Sequence, residues 1–337
     1  MQSDHLTLNL LIRGFQVSRI LRVVADLGVA DEVPQVGACG VGELARSCSV
    51  LSTPLTRLLR ALAAFSVFRI TPEGQVSHTK LSLLLRTDHP DTLRPAALAL
   101  TAQGSWRAWG VLDVAMTGEV PHQHAWNASR FDYLRDHPGE GRNFDLLMSR
   151  DPSHGAVAAA YDFAGAKLIA DIGGGNGALL RTILSRNLDP CGLVFDRKDV
   201  ISAIDSADLL GGRIKVEAGN FFDDVPRGAS HYLLARVLHD WPDTECLSIL
   251  RRCHAAMSVD ARLLIVEQIL DPDPSNGRPL QYLSDMQMMA MFGGARERTL
   301  TEYRELLQAT GFALTRVVDT SSSASIMEAT AVLDAAA

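Results

Sequence analysis

Apolar runs alternate with amphipathic stretches through the second half of the chain. Residues 167–171, 192–196, 213–216, 231–235 and 262–267 are short and rich in aliphatic side chains, and longer stretches of helical spacing separate them. Short apolar runs bounded by turn residues read as strands, and runs apolar at consecutive positions read as strands covered on both faces. Strands alternating with helices predict an α/β fold: a doubly wound, mostly parallel sheet with helices on both sides.

The first half has a different rhythm. From 5 to 27, Leu6, Leu10, Ile12, Val17, Ile20, Leu21 and Val24 fall at helical spacing with Arg13, Arg19 and Arg22 between them. That is a helix with a wide apolar stripe, which needs a partner surface, either its own core or a second subunit. Further helices are expected over 41–48 and 54–65, with Pro54 at a first helical position after Ser52-Thr53. Residues 68–70 and 75–77 form a hairpin around Pro72-Glu73-Gly74. Two helices and a hairpin make a winged-helix unit. Residues 91–118 read as helical with interruptions near Pro95 and Gly104, Pro121-His122-Gln123-His124 as a loop, and 128–136 and 141–161 as helices. The expected organisation is a mainly helical domain over 1–150 and a sheet domain over 151–337, with 335–337 frayed.

The junction of strand and helix at 168–180 carries the first chemistry. Asp171 ends the apolar run, and Gly173, Gly175 and Gly177 follow before Ala178-Leu179-Leu180 starts a helix. Glycines there tolerate positive φ and expose N–H groups at a helix N-terminus, and the acid can bind a ligand ammonium or ribose. Asp196, about twenty residues on, suits ribose hydroxyls. The pattern fits an adenosine cofactor and leaves a dinucleotide open, since Gly173-x-Gly175-x-x-Ala178 also satisfies that fingerprint.

Composition narrows the partner. The 337 residues are 47% apolar, ample for two cores, and the formal charge of −7 weighs against a general nucleic-acid binder. The helix that would enter a DNA groove offers Arg57 and Arg60 among leucines, too little to read bases. No apolar run reaches the roughly 18 residues a bilayer span requires, so no membrane partner is expected and the location reads as cytoplasmic. The five cysteines are odd in number and include no C-x-x-C pair, so they read as small core residues rather than disulfides or a thiolate zinc site. His122 and His124 lack partner ligands at suitable spacing, and no metal is expected.

Ligands in open α/β sheets sit beyond the carboxyl ends of the strands. The residues there are Asp171, Asp196, Gly219-Asn220-Phe221-Phe222, His239-Asp240-Trp241 and Glu267, followed by Gly293-Gly294 and Glu297-Arg298-Thr299. In this order they resemble the motifs of S-adenosylmethionine-dependent small-molecule O-methyltransferases, the family of plant caffeic-acid-type and bacterial antibiotic-tailoring enzymes. The resemblance implies a Rossmann-like methyltransferase sheet preceded by a winged-helix dimerisation domain, hence a homodimer. It implies that Gly173, Gly175, Gly177 and Asp171 hold the methionyl part of S-adenosylmethionine, with S-adenosylhomocysteine as product. Asp196 then takes the ribose, Asn220 and Phe221 the adenine, and Trp241 backs the cofactor. Asn220 departs from the family's usual Asp, which puts the adenine contact in question. A packing role for Phe221 and Trp241 is the plainer alternative.

The same resemblance makes His239 a general base flanked by Glu267 and Glu297. Deprotonating a phenol of pKa about 10 is a step that an imidazole of pKa about 6.5 can assist. Glu267 closes the next strand, where its carboxylate would fix the histidine tautomer. Glu297 also precedes a capping box, Thr299-Leu300-Thr301-Glu302, so a local structural role stands beside the catalytic one. The resemblance sets Met148, Phe144, Met286 and Met289 against an aromatic acceptor, with core packing as the alternative for the methionines of 286–291; Trp126 and Phe131 join the pocket candidates. Three other readings compete: an NAD-dependent oxidoreductase, which leaves His239, Glu267 and Glu297 unexplained; a winged-helix regulator with a ligand-sensing domain; and a methyltransferase fold that does other chemistry, against which the histidine and both carboxylates argue.

Overall fold

The computed structural model describes residues 2–151 and 153–332; the frayed end expected at 335–337 lies outside them. The chain divides into two compact units. One comprises the described residues through Trp106 together with His137–Leu147, and the other Arg107–Asp136 with the described residues from Met148. The second unit thus takes in 107–136, which a single cut at 150 assigns to the first.

In the first unit, the single helix expected over 5–27 is two, Gln2–Ile12 and Gly14–Asp26, broken where Arg13 (φ −90°, ψ 3°) precedes Gly14. Glycine is a poor helix former and marks the break. The second of these helices buries Val24 and Ala25, whereas the first leaves Leu6, Leu8, Leu10, Leu11 and Ile12 exposed. Along Ser52–Ala64 the buried residues are Leu55, Leu59 and Leu62, spaced four and three apart on one face, and Arg57 and Arg60 point outward. The helix starts at Ser52, so Pro54 is its third residue rather than its first. Phe68–Ile70 and Gln75–His78 pair antiparallel as expected, and Cys39–Gly40 adds a third strand. Leu55, Leu59 and Leu62 share their core with Phe68, Val76, Val29 and Leu44.

The second unit is built on one sheet. Its path runs Phe312–Asp319, Ala324–Ala331, Arg262–Leu270, His231–Ala235, Leu168–Ile172, Cys191–Asp196, Ile214–Ala218. All five strands foreseen in the sequence are present and parallel; the strands at 312–319 and 324–331, not foreseen, add an antiparallel edge. Side-chain parity shows why the runs are apolar throughout. Ile169, Leu233, Leu264 and Val266 face the helix Ala178–Arg186 through Leu179, Leu180 and Ile183. Ala170, Tyr232, Leu234, Leu263 and Ile265 face Asp243–Ala256 and Leu300–Gln308 through Ile249, Leu250 and Leu306. Neighbouring residues point to opposite faces, so a strand covered on both sides must be apolar at nearly every position. Cys246 and Cys253 lie in this core, Cys39 and Cys48 are half-buried, and Cys191 is exposed, against the expectation of a core residue.

The loop expected at 121–124 is a helix, Pro121–Trp126. Pro121 takes a first-turn position and Asn127, at φ 53°, ends it in the left-handed conformation. Strand order reverses at Leu168–Ile172, whose two neighbours are Cys191–Asp196 and His231–Ala235. Ligand crevices form at such a point.

Candidate active site

Beyond the central strand the chain turns through glycines at φ 73° (Gly173), 57° (Gly175) and 75° (Gly177). Those angles are strained for any side chain. A Cβ on Gly173 would also lie 2.9 Å from Val237 Cγ2, so the loop is packed against the segment carrying His239. The Gly175 N–H donates to Asp196 Oδ2 at 2.8 Å and the Arg197 N–H to Asp196 Oδ1 at 2.7 Å, placing Asp196 against the open side of the loop.

Asp171 is 1% exposed and its Oδ1 has no hydrogen-bond partner. Burial, then the charge of Asp196, pushes its carboxyl up to about 7. A buried carboxylate oxygen without a donor is costly, and a ligand cation would relieve it.

Phe221, Phe222 and Trp241 form an aromatic group beside this loop. Phe222 meets Trp241 edge-on at 4.7 Å and Phe221 meets Trp241 at 5.9 Å. Phe222, the last residue of the 219–222 motif, thus joins Phe221 and Trp241. Asn220 is exposed, and its side chain is engaged locally: Oδ1 accepts the Phe222 N–H at 3.1 Å and Nδ2 donates to Asp223 at 3.1 Å.

The second half of the site centres on His239. It sits in the single turn Leu238–Asp240 that follows strand His231–Ala235, and it is 5% exposed. Its Nδ1 lies 3.3 Å from Glu267 Oε2 and 3.4 Å from Glu297 Oε1, ion-pair distances without a well-aligned hydrogen bond. Its Nε2 lies 3.2 Å from Asp240 Oδ1. Glu267 lies inside strand Arg262–Leu270, three residues before its end rather than closing it as expected, and its Oε1 accepts the N–H of Val237 at 3.0 Å and of His239 at 3.4 Å. Glu297 arrives through Gly293 and Gly294, at φ 59° and 73°, and its N–H donates to Asp285 Oδ1 at 2.9 Å. Sequence therefore named the three residues that the fold brings together.

It missed a fourth. Arg236, in a left-handed backbone conformation at φ 56°, sets its guanidinium 3.5 Å from Glu267 and 3.2 Å from Glu297. An unremarkable Arg between apolar residues carries no local signal of this. His239, Glu267 and Glu297 bring three donor atoms within 4.8 Å of one another, a set that can hold a metal. Here the Arg236 cation already lies against both carboxylates. Burial and the Arg236 charge pull the imidazole down, Glu267 and Asp240 pull it up, and the balance raises it to about 10. Burial raises Glu267. Glu297 falls below the carboxylate range, because the nearby His239 and Arg236 cations outweigh its burial.

Met286 and Met289 are half-buried on Pro279–Phe292, a helix that packs against the His239 turn and whose Asp285 holds Glu297. Met291 is instead a core residue, packed with Ala108 and Ala290. Phe144 belongs to the first unit and Met148, exposed, to the second, although both lie on Pro138–Ser149. Trp126 lies tilted against Tyr133 with ring centroids 4.6 Å apart, and Phe131 lies tilted against Phe292 at 5.3 Å. His122 is fully buried with Nδ1 3.2 Å from Ala128 O, while His124 pairs with Glu119 at 2.8 Å; they engage separate partners.

The sequence and fold have known counterparts. The O-methyltransferase domain matches residues 109–313, and the O-methyltransferase dimerisation domain matches 9–88. The chain belongs to the O-methyltransferase family. Among relatives of this O-methyltransferase, the phenazine O-methyltransferase PhzM of Lysobacter antibioticus is 38% identical over 95% of this chain and 94% of its own. The crystal structure of LaPhzM superposes with a TM-score of 0.90 at 36% identity, covering 98% of this chain and 100% of that one. NcsB1, an O-methyltransferase from neocarzinostatin biosynthesis solved with S-adenosylmethionine and 2-hydroxy-5-methyl naphthoic acid, is 32% identical with a TM-score of 0.78, over 94% and 96% of the two chains.

Proposed function

We propose that this O-methyltransferase moves a methyl group from S-adenosylmethionine to a hydroxyl of an aromatic secondary metabolite, with His239 as the proton acceptor. The residues fit the cofactor. Asp171, buried with an unpartnered oxygen, suits its ammonium. Asp196 suits the ribose hydroxyls, the glycine loop leaves backbone open to the methionyl chain, and Phe221 and Trp241 supply an apolar wall for adenine. Asn220, already engaged in its own turn, has less to offer the adenine amino group. Bound S-adenosylmethionine supplies a methyl group made electrophilic by its sulfonium.

The observation that carries the proposal is the buried imidazole of His239 set among Glu267, Glu297 and Asp240. These carboxylates lift its proton affinity to about that of a phenol, whose pKa is about 10. At that affinity His239 is largely imidazolium near neutral pH, so the competent form is the neutral imidazole fraction, which grows as pH rises toward 10 and then takes the phenol proton with little free-energy change. Glu267 and Glu297 face Nδ1 and hold the proton there, which leaves Nε2 for the acceptor once Asp240 yields it. Arg236 keeps the carboxylates from becoming an uncompensated buried charge. Half-buried Met286 and Met289 can adapt to a flat ring. The dimerisation domain, with its exposed Leu11 and Phe15, supports a homodimer built on the N-terminal region.

The test is His239→Gln. Cofactor affinity, read with S-adenosylhomocysteine by calorimetry, should hold, while methyl transfer from labelled S-adenosylmethionine to a panel of phenols, naphthols and phenazines falls by about 10²–10⁴-fold. Raising the pH toward 10 should restore part of the rate, because the acceptor then ionises unaided. Equal rates for variant and wild type across pH 6–9 would remove His239 from the chemistry.

A further inference from the structure

Arg298 is fully buried, and its guanidinium bonds residues of 238–243 and the Arg296 carbonyl, around His239. Its Nη1 donates to Leu238 O at 2.9 Å and to Arg296 O at 3.3 Å, and its Nη2 to Trp241 O at 2.8 Å. Its Nε and Nη2 also grip Asp243 Oδ1 at 2.9 Å and 2.7 Å. The carbonyls of Leu238 and Trp241 bracket the turn that carries His239, which is thus held from behind. Arg296 closes the arrangement, with Nη2 on Asp243 Oδ2 at 2.9 Å and its N–H on the His239 carbonyl at 3.0 Å. On the strand side, Glu267 takes the N–H groups of Val237 and His239.

We propose that Arg298 and Asp243 are positioning residues which fix the His239 imidazole in its reactive placement by clamping the turn 238–241 to the loop that delivers Glu297. The inference rests on His239 being the proton acceptor. A one-turn helix has too few internal hydrogen bonds to hold a side chain to within a fraction of an ångström. The planar guanidinium fork supplies several fixed donors at once, which a lysine cannot reproduce. The same arginine spans the backbone on both sides of the site: its own strand, Arg298–Thr299, pairs with Arg262–Leu270 one residue past Glu297. One buried side chain therefore sets the distance between the base and its second carboxylate.

Arg298→Met removes a buried cation and risks the fold, so the decisive variant is Asp243→Ala, at a half-exposed side chain. Expected is a kcat about 10–100-fold lower, with acceptor KM and S-adenosylhomocysteine affinity each within about threefold of wild type. Asp243→Asn, which keeps an oxygen for Arg298, should recover most of that kcat. A residue acting through His239 has nothing left to act on once the imidazole is gone. In the His239→Gln background, Asp243→Ala should therefore cost less than about twofold. Equal losses in both backgrounds, or a parallel fall in cofactor affinity, would overturn the clamp and leave Asp243 as a general stabiliser. Wild-type turnover in His239→Gln alone would instead overturn the proton-acceptor role on which the clamp depends.

Discussion

Glu267→Gln is a more searching perturbation than its small size suggests. The native carboxylate is fully buried, with Oε1 on the backbone N–H groups of Val237 and His239, and Oε2 3.3 Å from His239 Nδ1 and 3.5 Å from Arg236. A glutamine must keep its carbonyl on the two backbone donors, which turns its NH₂ toward Nδ1 and the guanidinium. Two effects follow. A full charge roughly 4 Å from the imidazole is lost, worth about 4 kcal/mol at an effective dielectric of about 20, or about three decades of proton affinity. His239 then drops from about 10 toward the ordinary imidazole range. In addition, an N–H facing Nδ1 favours the tautomer that carries its proton on Nε2, the nitrogen needed by the acceptor; Glu297, 3.4 Å from Nδ1, opposes this only in part. A wrong tautomer in a Ser-His-Asp triad costs about 10⁴, so a loss of about 10²–10⁴ in kcat is expected here. The assay is methyl transfer from labelled S-adenosylmethionine between pH 6 and 10, with S-adenosylhomocysteine calorimetry as control. The acidic limb of kcat/KM should move to lower pH, because a weaker base sheds its proton earlier. Wild-type kcat with an unmoved limb would refute the reasoning, since neither charge nor tautomer at His239 would then matter.

The other predictions are more local. Asp171 keeps a proton to about pH 7 in the fold where an unfolded chain loses it near 4, so its contribution to stability is complete below about pH 4 and fades as pH rises to 7. Asp171→Asn should therefore melt higher than wild type above pH 7, by up to about 4 kcal/mol of stability, with the gap closing below pH 4 in thermal scans; a lower melting point at pH 8 would contradict the burial argument. Wild-type affinity for S-adenosylhomocysteine should rise as pH passes 7, and the variant should lose that dependence. Asp196→Ala should weaken S-adenosylhomocysteine by about 1.5–3 kcal/mol, the worth of a charged hydrogen-bond partner, and unchanged calorimetry would rule out the ribose role. Leu11→Glu with Phe15→Glu, at side chains 72% and 58% exposed, should turn a dimer into a monomer in sedimentation at micromolar concentration; an unaffected dimer would place the interface elsewhere.

Much of the sheet and the candidate site was written locally in the sequence. A buried parallel strand must be apolar at almost every position, so Ile169, Ala170, Leu233 and Leu264 announced their strands without knowledge of their neighbours. Positive φ needs glycine, and the turn at Gly173, Gly175 and Gly177 was therefore legible. Because ligands gather where strands end, Asp171, Asp196 and His239 could be nominated from their positions alone, whereas Glu267 lies within its strand, which runs on to Leu270. The edge strands at 312–319 and 324–331 escaped because one is exposed at many positions and its pattern is broken by a register shift near Leu314. The helix break at Arg13 and the helix at Pro121–Trp126 turned on single residues whose preference is weak against their surroundings.

The charges were decided in three dimensions. Nothing near Arg236 in the chain says that two glutamates 31 and 61 residues away will share its guanidinium, and nothing near Arg298 says that it will grip a turn 57–60 residues back. An imidazole takes its proton affinity from groups within a few ångströms, most of them remote in sequence. Sequence thus named the histidine and its two carboxylates as chemical types in plausible places. Only folding set the distances that raise the proton affinity of His239 and left the buried oxygen of Asp171 without a partner.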